Sequence, residues 1–317
     1  MENKKSKILD LDIPSLEAPE PRLKLVSKPV IVTDWNWMLD QAARGGGEDV
    51  QAKLKRWDEG RRRLHGNRVW DKIVTAMRQF EHRHLYTLKE ADIGDVMART
   101  HSSFGGVTGD DSEKGGIDKA TSPAPYVLML HNLLETKGTI PTWQDFQEYH
   151  WKNPGVYLRF IADFVRLPVG MFIDSDWLTH PVARAIRYRL GSAYNSFIRE
   201  LHLMCVLRER YGILLTHHFL LDALWKIDFL HNNTALEVFL ENPRWKVKNP
   251  EAAERERAKK TLCHKTNPAR DVLMVTFAKR SDSKSYDFPW LFTDAEIAEV
   301  ARRLLAGEVD YRGLPRF

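Results

Sequence analysis

The sequence predicts an α+β protein: a mostly helical N-terminal region followed by a smaller unit built on a mixed sheet. Three observations lead there. Up to about residue 190 the apolar residues recur at helical spacing, as in Val69, Ile73, Met77 and Phe80. From Tyr211 onward the pattern switches to period two in DALWKIDFLHNNTALEVFLEN. A helix-forming stretch then separates that segment from a further strand, DVLMVTFAKR, and a strand–helix–strand crossover implies a parallel pair.

Residues 1–30 are rich in proline and charge with little apolar periodicity, so a flexible tail is expected. A helical region follows over 31–190. Asp34 is placed to cap a helix carrying Trp35, Trp37, Met38 and Leu39, and three consecutive glycines, Gly45 to Gly47, break the chain after it. The trio His82-Arg83-His84 reads as a solvated helix face. Residues 100–123 hold five glycines with polar filler, which predicts a mobile loop. Helices are then expected over 125–135, from the Thr142 cap through Trp143, Phe146 and Tyr149, over 155–164, and from Pro181 onward. The last of these carries the stripe Phe197, Leu201, Met204 and Leu207. Glu200 lies within that stripe, where a lone carboxylate must either be pushed up in pKa or meet a cation.

The period-two segment folds at Asn232-Asn233, because asparagine tolerates the positive φ of a tight hairpin turn. His231 then opposes Thr234. Trp225, Ile227 and Phe229 face Leu240, Val238 and Leu236 on one apolar side. The other side pairs Asp228 with Glu237 and Lys226 with Phe239, beside Leu224, Leu230 and Ala235. A one-residue slip would destroy both faces, so this register is strongly specified. Two facing carboxylates on a covered surface repel unless a cation lies between them, and a divalent metal is the usual solution. Asp222 shares their parity, with a turn role the simpler reading. His217 and His218 are adjacent on an extended segment, so they face opposite ways and are expected to be structural. The run from Ile213 to Leu215 is a candidate short strand, and Thr293 caps a final helix that stops at Gly307.

Charge narrows the partners. Lysine and arginine number 48 against 43 acids, a net charge of +5 and a pI near 9.0. Residues 51–84 hold ten bases against four acids, and residues 241–270 nine against four. Two basic segments suit a polyanion. Cys205 and Cys263 have no metal-type spacing and read as small buried apolar residues. No long apolar run suggests a membrane span, and a reducing, cytoplasmic setting is expected.

With Asp228 on one hairpin strand, Glu237 on the next and Glu200 on the preceding helix, residues 190 to 307 resemble the PD-(D/E)XK nuclease superfamily. The resemblance implies a restriction-endonuclease-like α/β core over 191–317. It also implies a metal-dependent endonuclease acting on DNA, as one component of a mobile-element or phage-defence complex. Asp228, Glu237 and Glu200 would hold Mg²⁺ or Mn²⁺. The family lysine should stand two residues after Glu237, but Phe239 stands there. Lys226, opposite Phe239 in the expected register, is the candidate replacement. Arg244, Lys246, Arg255, Arg257, Lys259 and Lys260 would follow the nucleic-acid backbone. The helical region would choose the target or bind a partner protein. Two alternatives stay open: an inactive nucleic-acid-binding protein on a nuclease fold, which Phe239 favours, and a helical adaptor for an acidic protein.

Overall fold

The computed structural model of the chain describes residues 33–44, 49–65, 67–101, 124–152, 181–241, 271–278 and 290–312. The expected tail over 1–30, nearly all of the glycine-rich loop, the helix over 155–164, Cys263 and the bases Arg244, Lys246, Arg255, Arg257, Lys259 and Lys260 lie outside the described residues.

The helices begin and end where local chemistry dictates. Asp34 Oδ1 accepts the Trp37 backbone N–H at 2.7 Å and so opens α1, Trp35–Arg44. Helices α2, Val50–His65, and α3, Asn67–Gln79, follow. After α3 the chain extends, and His82 forms an antiparallel bridge with Thr33. A short 3₁₀ turn, Leu85–Thr87, leads to α4, Glu90–Arg99. Helix α5 spans Ala124–Lys137 and α6 Trp143–Lys152. Thr142 opens α6 reciprocally with Asp145, its hydroxyl accepting from the Asp145 N–H at 3.1 Å and its own N–H donating back at 2.9 Å. Helix α7 is a single rod, Pro181–Tyr211, and Gly212 ends it at φ 67°. Thr293 and Glu296 form the capping box of α8, Asp294–Leu305, which stops before Gly307 at φ 63°.

The sheet runs β1-β2-β3-β4 in spatial order. Strand β1, Phe229–His231, pairs antiparallel with β2, Thr234–Glu241, with His231 opposite Thr234 and Phe229 opposite Leu236. Asn232 takes the positive φ of the turn, 51°. Strand β3, Asp271–Ala278, lies parallel to β2, and β4, Tyr311–Arg312, closes the other edge antiparallel to β3. The stretch after Gly212 contributes only a bridge, Thr216 to Leu230, beside β1. The mixed α+β class, the hairpin register and the parallel pair are as the sequence pattern predicts.

Both faces of the sheet are covered. Phe229, Leu236, Leu273, Val275 and Phe277 join a core with α4 to α8 that includes Leu130, Phe146, Tyr194 and Leu201. Leu230, Ala235 and Val272 join a second core with α1, α2 and α3, built on Trp35, Met38, Trp70 and Trp225. The alternation of β2 therefore sends Glu237, the neighbour in parity of Ala235, towards the face that the N-terminal helices cover.

One stretch departs from the expected hairpin. Residues Leu221–Trp225 form a turn of π-helix, and Lys226 follows in the left-handed conformation at φ 61°. The β1 ladder consequently begins at Phe229, so Lys226 is not held opposite Phe239. Trp225 and Ile227 enter the second core with Leu230, instead of sharing the side of Phe229. Both are fully buried in either arrangement, which is why alternation of apolar residues could not separate them. Leu240, expected on the apolar side, is 36% exposed near the end of β2. His82 is also not on a solvated helix: it is fully buried in the bridge with Thr33, while Arg83 and His84 stay exposed. No helix among the described residues is long and apolar enough to cross a membrane.

Candidate active site

The start of β1, the middle of β2, the π-helical turn and the middle of α7 place Asp228, Glu237 and Asp222 close enough to Glu200 to act on its charge. Asp228 directly precedes β1. Its backbone N–H donates to Leu236 O at 3.2 Å, and its Oδ2 accepts the Val238 N–H at 2.7 Å. That carboxylate is thereby fixed next to Glu237, the residue before Val238 on β2. Glu237 is fully buried. Asp222 sits in the π-helical turn with a quarter of its side chain accessible, and its Oδ2 is buried without a hydrogen-bond partner.

Glu200 ties these groups together. It projects from α7 with 21% of its side chain exposed. Burial, and then the charges of Asp228 and Asp222, push its carboxyl well above the ordinary carboxylate range. Arg199 opposes the shift, and Glu237 adds a smaller push. This is the behaviour expected of an acid placed inside the apolar stripe of α7. Arg199 is itself lowered to about 10 by desolvation, with the Glu200 charge opposing that shift, and it lies over the Trp290 ring at 5.2 Å.

Two histidine contacts frame the site. His217 Nδ1 meets the Asp228 carbonyl at 2.9 Å, so that nitrogen carries the proton. Its Nε2 then faces Glu200 Oε2 at 3.5 Å. The His217 ring packs against Phe197 and Phe229, whereas that of His218 packs against Phe219 and His82. The two rings meet different neighbours, yet both belong to one buried cluster through His82 and His131, so they do not diverge to opposite faces as expected. His217 also belongs to the wall of the acidic site, a role that its sequence neighbourhood does not show.

The cations are arranged differently from the expectation. Lys226 Nζ donates to the Asp222 carbonyl at 2.5 Å and stands 3.8 Å from Asp222 Oδ1. The lysine is thus directed to Asp222, because its left-handed backbone turns it back over the π-helical turn. Phe239 is 5% exposed and packed. A second cation, Arg61 of α2, is close enough to Asp222 to respond to its charge; burial lowers the Arg61 pKa and Asp222 opposes that shift. Nothing in the linear sequence joins residue 61 to residue 222, so hydrophobic periodicity does not reveal this proximity.

The donor set suits a hard divalent cation in kind: carboxylate oxygens, an orphaned Asp222 Oδ2, and no thiolate. Among the described residues no three acid, histidine or cysteine side chains converge as a ready-made metal cage. The carboxylates are gathered around Glu200 without being closed on a single point. Comparison with family models, with curated proteins and with solved structures returns no match for the chain.

Proposed function

We propose that the chain is a metal-dependent nuclease that hydrolyses phosphodiester bonds in DNA. The observation that carries this reading is that Asp228, Asp222 and Glu237 lie close enough to the largely buried Glu200 to push its carboxyl upward, at the edge of a covered sheet. Like charges so placed raise the free energy of the folded state unless protons or a cation offset them. Asp228 and Glu237, with Glu200 from α7, would hold Mg²⁺ or Mn²⁺. The ion would lower the pKa of a water and offset charge on the phosphate.

The chain's own residues do the rest. Val238 N–H fixes the rotamer of Asp228, and His217 fixes its backbone through the carbonyl. The apolar cover over Glu237 excludes water and strengthens every charge interaction around it. Lys226 and Arg61, both drawn to Asp222, supply positive charge to one side of the acids.

A second reading, a nucleic-acid-binding protein without cleavage, is favoured by the packed Phe239 in the position of the expected lysine. Cleavage assays on single- and double-stranded DNA and RNA with Mn²⁺ separate the two. The nuclease reading expects cleavage that Asp228→Ala and Glu237→Ala each abolish. Salt-sensitive binding with no cleavage by the unaltered protein would support the second.

A further inference from the structure

Helix α2 carries six bases, Lys53, Lys55, Arg56, Arg61, Arg62 and Arg63, against two acids, Asp58 and Glu59. Its placement is fixed from two sides. Asp58 accepts from Arg62 Nε and from Trp70 Nε1, both at 2.7 Å, and Arg62 also reaches Asp71 at 2.6 Å. Trp57 meets the Trp70 ring edge-on with centroids 4.9 Å apart. These contacts pin α2 to α3.

The same helix packs on the π-helical turn that bears Asp222. Leu54 and Trp57 join the core that holds Leu221, Leu224 and Trp225. Leu54, Trp57 and Arg61 stand at i, i+3 and i+7, so they share one stripe of α2. The stripe that seats the helix on the π-helical turn therefore ends in a guanidinium near enough to Asp222 to feel its charge. Asp58 and Asp71 are engaged with Arg62, while Lys55, Arg56 and Arg63 lie on the outer face of the same helix with Glu59.

We infer that α2 is the surface that holds a nucleic-acid backbone against the acidic site, with Arg61 as the positioning residue at its inner edge. This inference rests on the nuclease reading for what the acids do, and names the element that brings the substrate to them. An arginine suits the role because its planar fork matches two phosphate oxygens, and it stays charged when partly buried. The outer bases would extend the track by contacts that carry no sequence information.

The test is binding of a fluorescein-labelled DNA duplex to the full chain in EDTA, measured by anisotropy over a series of NaCl concentrations. Arg61→Ala, Arg61→Lys and the triple variant Lys55→Ala/Arg56→Ala/Arg63→Ala are compared with the unaltered protein. Each lost phosphate contact lowers the slope of log affinity against log salt by about one. The inference expects a slope lower by about one for Arg61→Ala, restored in Arg61→Lys, and lower by about two to three for the triple variant. A merely structural role for Arg61 would change the melting temperature and leave the slope alone. The triple variant keeps the question decidable if Arg61→Ala does not fold, because its three side chains are on the exposed or outer face.

Unchanged slopes in the triple variant and in every folded Arg61 variant would overturn the inference. Mn²⁺-dependent cleavage by the unaltered protein, lost in Asp228→Ala but with slopes independent of α2, would leave the nuclease standing and remove this surface. Slopes that depend on α2 with no cleavage would support the surface and remove the nuclease.

Discussion

Acidification should unfold this protein well above the pH at which carboxylates ordinarily titrate. His82, His131, His217 and His218 form one buried cluster, with ring centroids 4.3 Å apart for His82 and His218, 4.7 Å for His82 and His131, and 4.9 Å for His131 and His217. Each is 3% exposed or less. His82 Nε2 and His131 Nδ1 share a hydrogen bond of 2.9 Å, and His218 Nδ1 accepts the Leu220 N–H at 3.1 Å. Burial holds all four in the neutral form. It depresses His82 to about 3 and His217 to about 4, and His131 and His218 fall well below their ordinary value.

The sign follows from linkage. The folded pKa lies below the unfolded one, so the unfolded chain binds more protons and stability is lost as pH falls below about 6.5. Each such histidine costs about 1.4 kcal/mol per pH unit until its folded pKa is reached. Glu200 and Glu135, whose folded pKa values are raised, keep protons that the unfolded chain gives up above about 4.5, and they oppose the trend. A net uptake of about two to three protons on unfolding remains, equivalent to about 3–4 kcal/mol per pH unit. From pH 6.5 to pH 5 the loss is then about 3–5 kcal/mol, since an unfolded histidine is only half protonated at the upper end, and it approaches the whole stability of many domains. Urea titrations followed by circular dichroism at pH 7, 6 and 5.5 measure it. A change of less than about 1 kcal/mol between pH 7 and 5.5 would show that the four histidines do not stay neutral in the folded chain.

Two further predictions concern stability. Glu135 accepts the backbone N–H groups of Arg83, His84 and Leu85 at 2.8, 2.8 and 3.0 Å, so Glu135→Ala should cost about 3 kcal/mol or more in urea titrations at pH 7, because buried donors lose a shared acceptor. Asn232 holds φ 51° in the hairpin turn; Asn232→Gly should be nearly neutral, whereas Asn232→Val should lower stability by about 1–2 kcal/mol.

The hairpin was legible because two independent constraints agree on it. The asparagine pair permits the turn, and a single register places Phe229 against Leu236. Helix ends were equally legible at Asp34, Thr142, Gly212 and Thr293, where one side chain or one positive φ decides the boundary. The π-helical turn was not. Its residues, Leu221 to Trp225, are mostly apolar and buried, so their pattern fits a strand as well as a helical turn, and the left-handed Lys226 has no sequence signature. His82 was hidden for a different reason. Its burial depends on Thr33 and His131, which are remote in sequence, and a polar trio gives no hint of such partners. Within the site, Glu200 was legible because a carboxylate interrupts an apolar stripe. The approach of Arg61 and His217 depended on packing between distant elements.

The proposed nuclease requires Glu200, Asp228 and Glu237 to share a divalent cation. Mn²⁺ binding to the full chain, followed by the loss of the free-ion electron paramagnetic resonance signal, tests it without reference to catalysis. Saturable uptake is expected for the unaltered protein, weakened by about tenfold or more in each of Asp228→Ala and Glu237→Gln. No uptake, or equal uptake by all three proteins when each is folded, would contradict it.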